Sequence, residues 1–186
     1  LEYRGYDSAG IAVFDGEKIN VAKSVGRLAA LKEKIKNNTP EGVMGIGHTR
    51  WATHGRPSDV NSHPHTDCSG KFAIVHNGII ENFMSLKEEL IAKGHKFVSE
   101  TDTEVVAHLI EDVYEGDFVE AVNKVLNRIE GSYSLAFMCQ DYPDTLICTK
   151  KDNPLVIGLG EGENFIASDI PAIIAYTRRT YIMNDG

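Results

Sequence analysis

The chain has 186 residues and a formal net charge of -8 at pH 7. This length suits one domain. The acidic balance, without a cluster of lysines or arginines, argues against a nucleic-acid partner, because binding a polyanion needs a basic surface. Hydrophobic residues at 42% and charged residues at 25% are typical of a soluble globular protein, and no apolar run reaches the length of a membrane span.

The cysteines argue against a disulfide-stabilised secreted protein. There are three of them, Cys68, Cys139 and Cys148, and none belongs to a Cys-x-x-Cys pair. An odd number without paired spacing favours a reducing compartment. Because no signal peptide opens the chain either, we expect a cytoplasmic protein.

Short strands alternate with turns and one helix in the first part of the chain. Two strands at 10–14 and 19–22 flank the turn pair Asp15-Gly16. A helix at 27–36 follows, with Leu28, Leu31 and Ile35 on one face. The next predicted elements are a strand at 43–49, a polar loop at 50–66 and a buried strand at 72–76, which ends in the turn pair Asn77-Gly78.

Three helices and then several strands are predicted for the rest. The helices cover 80–92, 101–114 and 118–129, and in the second of them Thr101 with Glu104 matches a capping box. Strands are expected at 132–140, 145–150, 155–159, 164–167 and 180–183, with a short helix at 170–176. This order predicts an α+β layered domain.

The loop that begins HTRWATHGRP at His48 concentrates polar side chains directly after a strand. Functional residues are common on loops held by a rigid scaffold. Arg50 offers a planar guanidinium that suits a carboxylate, and Thr53 and His54 offer hydrogen bonds. The alternative is a solvated loop anchored by a half-buried Trp51.

Asn77 and Gly78 lie at the end of the buried strand at 72–76. An Asn side-chain amide beside an exposed backbone N–H is suited to an oxyanion hole. Asn-Gly is also the strongest signal for a type I′ hairpin turn. The helical pattern that follows weakens the hairpin interpretation.

The segment SETDTE, residues 99–104, has the composition of a helix N-terminus. Asp102 within it is suited to bind a ligand ammonium group. Together, Arg50 for a carboxylate, Asp102 for an ammonium and Asn77 with Gly78 for a carbonyl oxygen predict a site for an amino acid with a side-chain carbonyl. Both glutamine and asparagine fit this description.

Seven segments, in order along nearly the whole chain, resemble one family. They are EYRGYDSAG, GHTRWATHG, NSHPH, VHNGIIEN, SETDTE, PLVIGLG and NFIASD. In these segments the chain is similar to the class II, N-terminal-nucleophile glutaminase domains. Within that family it most resembles the glucosamine-6-phosphate synthase (glutamine–fructose-6-phosphate aminotransferase) branch. The amidophosphoribosyltransferase of purine synthesis is the nearest alternative.

This resemblance implies a four-layer α/β/β/α sandwich of two stacked antiparallel sheets, without metal or cofactor. It implies oxyanion-hole roles for Asn77 and Gly78 and a flexible lid at 50–58. The positions that it implies for glutamine binding are Arg50, Trp51, Thr53, His54 and Asp102.

The family's nucleophile is an N-terminal cysteine, and this sequence begins at Leu1. We therefore expect residues 1–186 to be a partial domain, truncated at both ends and without glutaminase activity by itself. Cys68 is predicted to lie in a polar turn, and Cys139 and Cys148 are predicted to be structural thiols in strands. The resemblance further implies L-glutamine as ligand and a homo-oligomeric parent protein with a sugar-phosphate isomerase domain.

Two rival interpretations remain open at this stage. His63, His65 and Cys68, with His54 or His76, have the chemistry of a metal site, although the paired spacing typical of zinc sites is incomplete. A non-catalytic module that senses glutamine is the second rival.

Overall fold

The computed structural model describes residues 5–51 and 56–186. The first half contains β1 (Ser8–Phe14), β2 (Ile19–Val25), α1 (Leu28–Ile35), β3 (Met44–Arg50), β4 (His65–Thr66), β5 (Phe72–Ile80) and α2 (Phe83–Ala92). The second half contains α3 (Glu104–Val113), α4 (Phe118–Leu126), β6 (Gly131–Cys139), β7 (Leu146–Lys151), β8 (Val156–Leu159), β9 (Asn164–Ala167) and β10 (Thr180–Ile182). A short 3-10 turn spans Ile170–Ala172.

The described strands form three antiparallel sheets, ordered β2-β1-β3, β4-β5-β6-β7 and β10-β8-β9. Helix α1 packs against β1 and β2. The first two sheets stack through small and flexible apolar side chains, which include Ala12, Ala73 and Met138. Helices α2, α3 and α4 pack with the second sheet around the largest core. This confirms the predicted four-layer α/β/β/α sandwich, while the small third sheet was not foreseen.

The central strands and α3 account for much of the core. Phe72, Ile74, Leu135 and Phe137 are almost fully buried between the second sheet and the helices. Residues 104–110 of α3 are all buried as well. Burial of one such large apolar side chain contributes roughly 1.5–3 kcal/mol, so the second sheet and α3 form a rigid base.

The predicted capping box at the start of α3 is wrong. The helix begins at Glu104, and the preceding Thr103 makes no side-chain capping bond. Instead, the Glu104 carboxylate accepts hydrogen bonds from the backbone N–H groups of Val98 and Ser99, at 2.8 and 2.7 Å. The Thr101 hydroxyl contacts Nε2 of His65 at 3.0 Å. A different local arrangement around Glu104 and a long-range contact of Thr101 with His65 therefore replace the predicted cap.

The predicted turn at Asn77-Gly78 is also wrong, because β5 continues through both residues to Ile80. Asn77 pairs with Ser134 and Gly78 with Tyr133. Gly78 has a φ of +128°, and a Cβ atom there would lie 2.0 Å from the carbonyl oxygen of Ser132. Glycine is needed here for close strand approach and not for a chain reversal.

The cysteines lie where the sequence predicts them. Cys139 in β6 is buried, Cys148 in β7 is partly buried and Cys68 is exposed in the loop before β5. Within the described residues, no helix has both the length and the apolar character that a membrane crossing requires.

Candidate active site

A cavity of about 380 Å³ lies between β3, β5, β9 and the segment that precedes α3. Ligand sites commonly have volumes of roughly 300–1,000 Å³. Five of the predicted site residues line it: Arg50, Trp51, Asn77, Gly78 and Asp102. The other two, Thr53 and His54, lie outside the described residues. The polar side chains singled out in the sequence are thus brought to one concave surface.

Arg50 is the last residue of β3 and is only 4% exposed. Burial lowers the pKa of its guanidinium, while the carboxylates of Asp7 and Asp102 oppose this change. An arginine keeps its charge in proteins. The wall of the cavity therefore carries a fixed cation with five hydrogen-bond donors.

Asp102 places a carboxylate on the same cavity, and it is only 5% exposed. Its Oδ2 atom accepts a hydrogen bond of 2.8 Å from the backbone N–H of Ile80, at the end of β5. Nδ1 of His76 lies 4.0 Å from the same oxygen. These contacts fix the orientation of the carboxylate, so its position does not depend on a ligand.

The side chain of Asn77 is oriented by a histidine that the sequence analysis did not assign to the site. Nε2 of His48 lies 2.9 Å from Oδ1 of Asn77. Burial lowers the pKa of His48, so the ring is neutral near pH 7, and the tautomer with its proton on Nε2 donates to the amide oxygen. The amide nitrogen of Asn77 then remains as the donor for a ligand in the cavity.

The alternation of side chains along β3 would have identified His48 as a candidate site residue. Side chains two residues apart in a strand share a face, and His48 and Arg50 are so related. Both line the cavity. The end of β3 therefore supplies two candidate site residues, Arg50 and, two positions earlier on the same face, His48.

A layer of buried histidines and threonines lies beneath the cavity. The Thr103 hydroxyl lies 3.0 Å from Nε2 of His63 and 2.9 Å from Nδ1 of His76. Burial lowers the pKa of His76 to about 4 and that of His65 to about 3, and it holds the pKa of His63 well below its ordinary value. These rings are therefore neutral hydrogen-bonding partners at pH 7.

This layer corrects one rival interpretation. His63 and His65 face threonines in the interior, and the Cys68 sulfur lies near His108 instead. The predicted metal grouping of His63, His65 and Cys68 does not form, because the side chains of the two histidines are used in the polar core.

Trp51 is 64% exposed and is not the half-buried anchor of the alternative interpretation. Its ring meets that of Tyr6 edge to face, with centroids 5.5 Å apart. This pair places aromatic surface at the rim of the cavity, next to the segment 52–55 that the structure does not describe.

The edge strands of two sheets line the cavity. Among the described strands, β3 is the last in its sheet and β9 is the last in another. Consecutive residues of both strands line the cavity, and Val75, Ser134 and Ala136 of the second sheet contribute to the same lining. An edge strand presents unpaired N–H and C=O groups, so this arrangement can accept an extended segment. None of the chain's three cysteines lines the cavity.

A family model described as "Glutamine amidotransferase domain" matches residues 48–175. The matched range contains the end of β3, β5, the segment that precedes α3 and β9, all of which line the cavity. The chain belongs to the glutamine amidotransferase domain family. The resemblance found in the sequence motifs is thereby confirmed.

Curated relatives of this glutamine amidotransferase domain are longer proteins. One from Caldanaerobacter subterraneus subsp. tengcongensis, named glutamine–fructose-6-phosphate aminotransferase (isomerizing), is 60% identical over 185 residues, which are all of this chain and 30% of that protein. A protein of the same name from Thermococcus kodakarensis is 55% identical over 188 residues, 31% of its length. The chain therefore spans about a third of the length of these relatives.

A solved structure supports the fold of the glutamine amidotransferase domain. The B. subtilis glutamine phosphoribosylpyrophosphate amidotransferase, in complex with ADP and GMP, superposes with a TM-score of 0.77 at 30% identity. The superposition covers all of this chain and 42% of the B. subtilis chain. The lower identity makes it a more distant relative than the fructose-6-phosphate aminotransferases.

Proposed function

We propose that this chain is the glutaminase part of a glutamine–fructose-6-phosphate aminotransferase and that its cavity binds L-glutamine. The observation that carries the proposal is the meeting of Arg50, Asp102 and the Asn77-Gly78 pair on one cavity. The names of the relatives at 60% and 55% identity favour this branch over the amidophosphoribosyltransferases.

The two charged residues suit the two ends of a free amino acid. The guanidinium of Arg50 binds the α-carboxylate through parallel N–H donors, a geometry that a lysine cannot reproduce. The carboxylate of Asp102, already held by the N–H of Ile80, accepts the α-ammonium through its remaining acceptor positions. A peptide lacks this pair of charges, so the site selects a free amino acid.

Asn77 and Gly78 supply the oxyanion hole in this proposal. The amide nitrogen of Asn77 and the backbone N–H of Gly78 donate to the side-chain carbonyl oxygen of glutamine as it acquires negative charge. The His48 bond holds the Asn77 amide in the required orientation. Removal of one such donor typically costs roughly 10²–10³ in kcat.

The nucleophile is a cysteine thiolate carried by an extended segment between the edges of β3 and β9. The α-amino group of that cysteine takes the thiol proton, and the sulfur attacks the amide carbon of glutamine. The tetrahedral intermediate then expels ammonia, which receives this proton back from the α-ammonium group, and water hydrolyses the resulting thioester to glutamate and free thiol. The two sheet edges that border the cavity support this placement, as does the absence of Cys68, Cys139 and Cys148 from its lining.

The segment 50–58 acts as a lid in this proposal. Closure would bring Trp51, Thr53 and His54 onto bound glutamine and exclude water from the intermediate. The ammonia would pass to a sugar-phosphate isomerase domain of the longer protein, which aminates fructose 6-phosphate. We expect that protein to be a cytoplasmic homo-oligomer that uses no metal or cofactor for glutamine hydrolysis.

Calorimetry and a glutamate assay together test the proposal. We expect the chain to bind L-glutamine more tightly than L-asparagine, and Arg50→Lys and Asp102→Asn each to weaken binding at least tenfold without loss of the folded circular dichroism spectrum. The full-length protein is expected to release glutamate from glutamine. Heat of binding without glutamate release by the full-length protein would favour the glutamine-sensing alternative, and binding that both variants leave unchanged would contradict the proposed site.

A further inference from the structure

Four potential metal ligands meet on the helical side of the molecule. They are Cys68, His95, His108 and Glu111, and one ligand atom from each lies within 4.8 Å of all the others. None of the four lines the cavity described above. We propose that this cluster is a structural zinc site.

The distances between the ligand atoms are close to those of a tetrahedral zinc centre. Bond lengths of about 2.0–2.3 Å imply separations of roughly 3.3–3.7 Å between ligand atoms. Sγ of Cys68 lies 3.6 Å from Nδ1 of His108, and that nitrogen lies 3.5 Å from Oε2 of Glu111. Nδ1 of His95 lies 2.9 Å from the same oxygen, a separation that must widen by about half an ångström around a metal.

The groups around the cluster are those that support metal ligands elsewhere. His108 is only 1% exposed, and its other ring nitrogen, Nε2, lies 3.6 Å from Oε1 of Glu104. At this distance the two groups are not hydrogen-bonded, and a carboxylate that closed on the far nitrogen would fix the ring and strengthen its metal bond. The backbone N–H of Lys96 donates to the Cys68 sulfur at 3.3 Å, and this bond opposes the rise in the pKa of the thiol that burial causes.

The donor set selects zinc among the common divalent cations. One sulfur and two imidazole nitrogens are poor ligands for magnesium or calcium, which prefer all-oxygen sites. Four protein ligands without an open position are typical of structural zinc sites and not of catalytic ones. Because Cys68 is exposed, an ion can enter from solvent.

The zinc ion would cross-link three parts of the chain that do not belong to the same helix or strand. Cys68 belongs to the loop between β4 and β5, His95 to the connection after α2, and His108 with Glu111 to one face of α3. Glu104, on the far side of the His108 ring, also holds the N–H groups of Val98 and Ser99. Zinc would therefore stabilise the segment that leads to Asp102.

Elemental analysis and cobalt substitution test the inference. After dialysis, we expect about one zinc per chain, and the cobalt form should show the sulfur-to-cobalt charge-transfer band and the strong visible absorption of a tetrahedral site. Cys68→Ser should abolish the charge-transfer band and lower zinc affinity at least a hundredfold, and His95→Ala should also weaken binding. Cys148→Ser removes a partly buried thiol outside the cluster and should leave zinc content and the cobalt spectrum unchanged.

Thermal unfolding separates a loss of metal from a loss of fold. Zinc should raise the unfolding temperature of the wild-type chain and of Cys148→Ser, but not that of Cys68→Ser. Zinc content below one tenth per chain, or a Cys68→Ser variant that keeps the wild-type spectrum, would overturn the site and leave the cluster as a hydrogen-bonded group. Neither the zinc measurements nor the unfolding temperature depends on glutamine. The proposed function can therefore be contradicted while the zinc site is confirmed, and the zinc site can be contradicted while the proposed function is confirmed.

Discussion

At the residue scale, the hydrogen bond between His48 and Asn77 determines which atom of the Asn77 amide the proposed oxyanion hole can use. A terminal amide rotates freely in solvent, and either its oxygen or its nitrogen could face the ligand. The Nε2 atom of His48, 2.9 Å from Oδ1 of Asn77, selects one orientation. In the proposed mechanism His48 is a positioning residue, because it would act on the substrate through Asn77.

A pair of variants distinguishes a positioning role of His48 from a merely structural role. We expect His48→Ala to lower kcat for glutamate release by about tenfold or more, with little change in KM, because donor orientation matters most in the transition state. His48→Gln retains an N–H donor and should recover part of the loss. Equal effects of the two variants, or a change in KM alone, would argue against positioning.

Gly78 offers a second test at this scale. An added Cβ would lie 2.0 Å from the carbonyl oxygen of Ser132, whereas at Gly70, which also has positive φ, no atom lies within 4 Å. Gly70→Ala should therefore cost only the backbone strain of roughly 1 kcal/mol. Gly78→Ala should reduce the free energy of unfolding by at least about 3 kcal/mol, because strain and a backbone collision combine. Chemical denaturation measures both, and similar losses would contradict the close approach at Gly78.

At the element scale, local patterns predicted the helices and strands but not the structure where α3 begins. The predicted bounds of 118–129 and 164–167 lie within a few residues of α4 and β9, because apolar periodicity reports which face is buried. Thr101 and Glu104 matched a capping box, yet Thr101 contacts His65 of β4, and Glu104 accepts from the backbone N–H of Ser99, just before the helix. Local spacing cannot reveal the His65 partner, because it depends on tertiary packing. The same reason explains why β5 runs through Asn77-Gly78.

The buried histidines beneath α3 predict sensitivity to acid. His65 and His76 have folded-state pKa values of about 3 and 4, below the ordinary value near 6.5. The unfolded chain therefore binds more protons as the pH falls below about 6.5. Stability is fully present above that pH and is lost as the pH falls toward 4. From pH 7 to pH 5 each such histidine costs about 2 kcal/mol.

Thermal unfolding between pH 7 and pH 5 measures this loss. The unfolding temperature should fall by about 10 °C or more, at roughly 2–4 °C per kcal/mol for a domain of this size. His65→Gln should flatten the dependence, because it removes one titrating group and keeps a hydrogen-bonding amide toward the Thr101 hydroxyl. An unfolding temperature that is constant over this range would contradict neutral buried histidines.

At the scale of the whole molecule, the stacked sheets bring residues that are distant in sequence to one cavity. Arg50 ends a strand of the first sheet, Asn77 and Gly78 lie in the second, and Asp102 precedes the helix that covers it. The sequence motifs predicted which chemical groups these residues contribute. The resemblance to the family predicted the order of the helix and sheet layers. The third sheet, the cavity wall formed by β9 and the position of Cys68 beside His95 and His108 could not be predicted, because no local pattern records which sheet edges or helix ends meet.

A crystal structure of the full-length protein with bound L-glutamine tests the central claim most directly. The α-carboxylate should lie against the guanidinium of Arg50 and the α-ammonium against Asp102. The side-chain amide oxygen should be within hydrogen-bonding distance of Asn77 Nδ2 and the Gly78 N–H. Glutamine bound elsewhere, or bound here with its side-chain amide directed away from Asn77 and Gly78, would contradict this account.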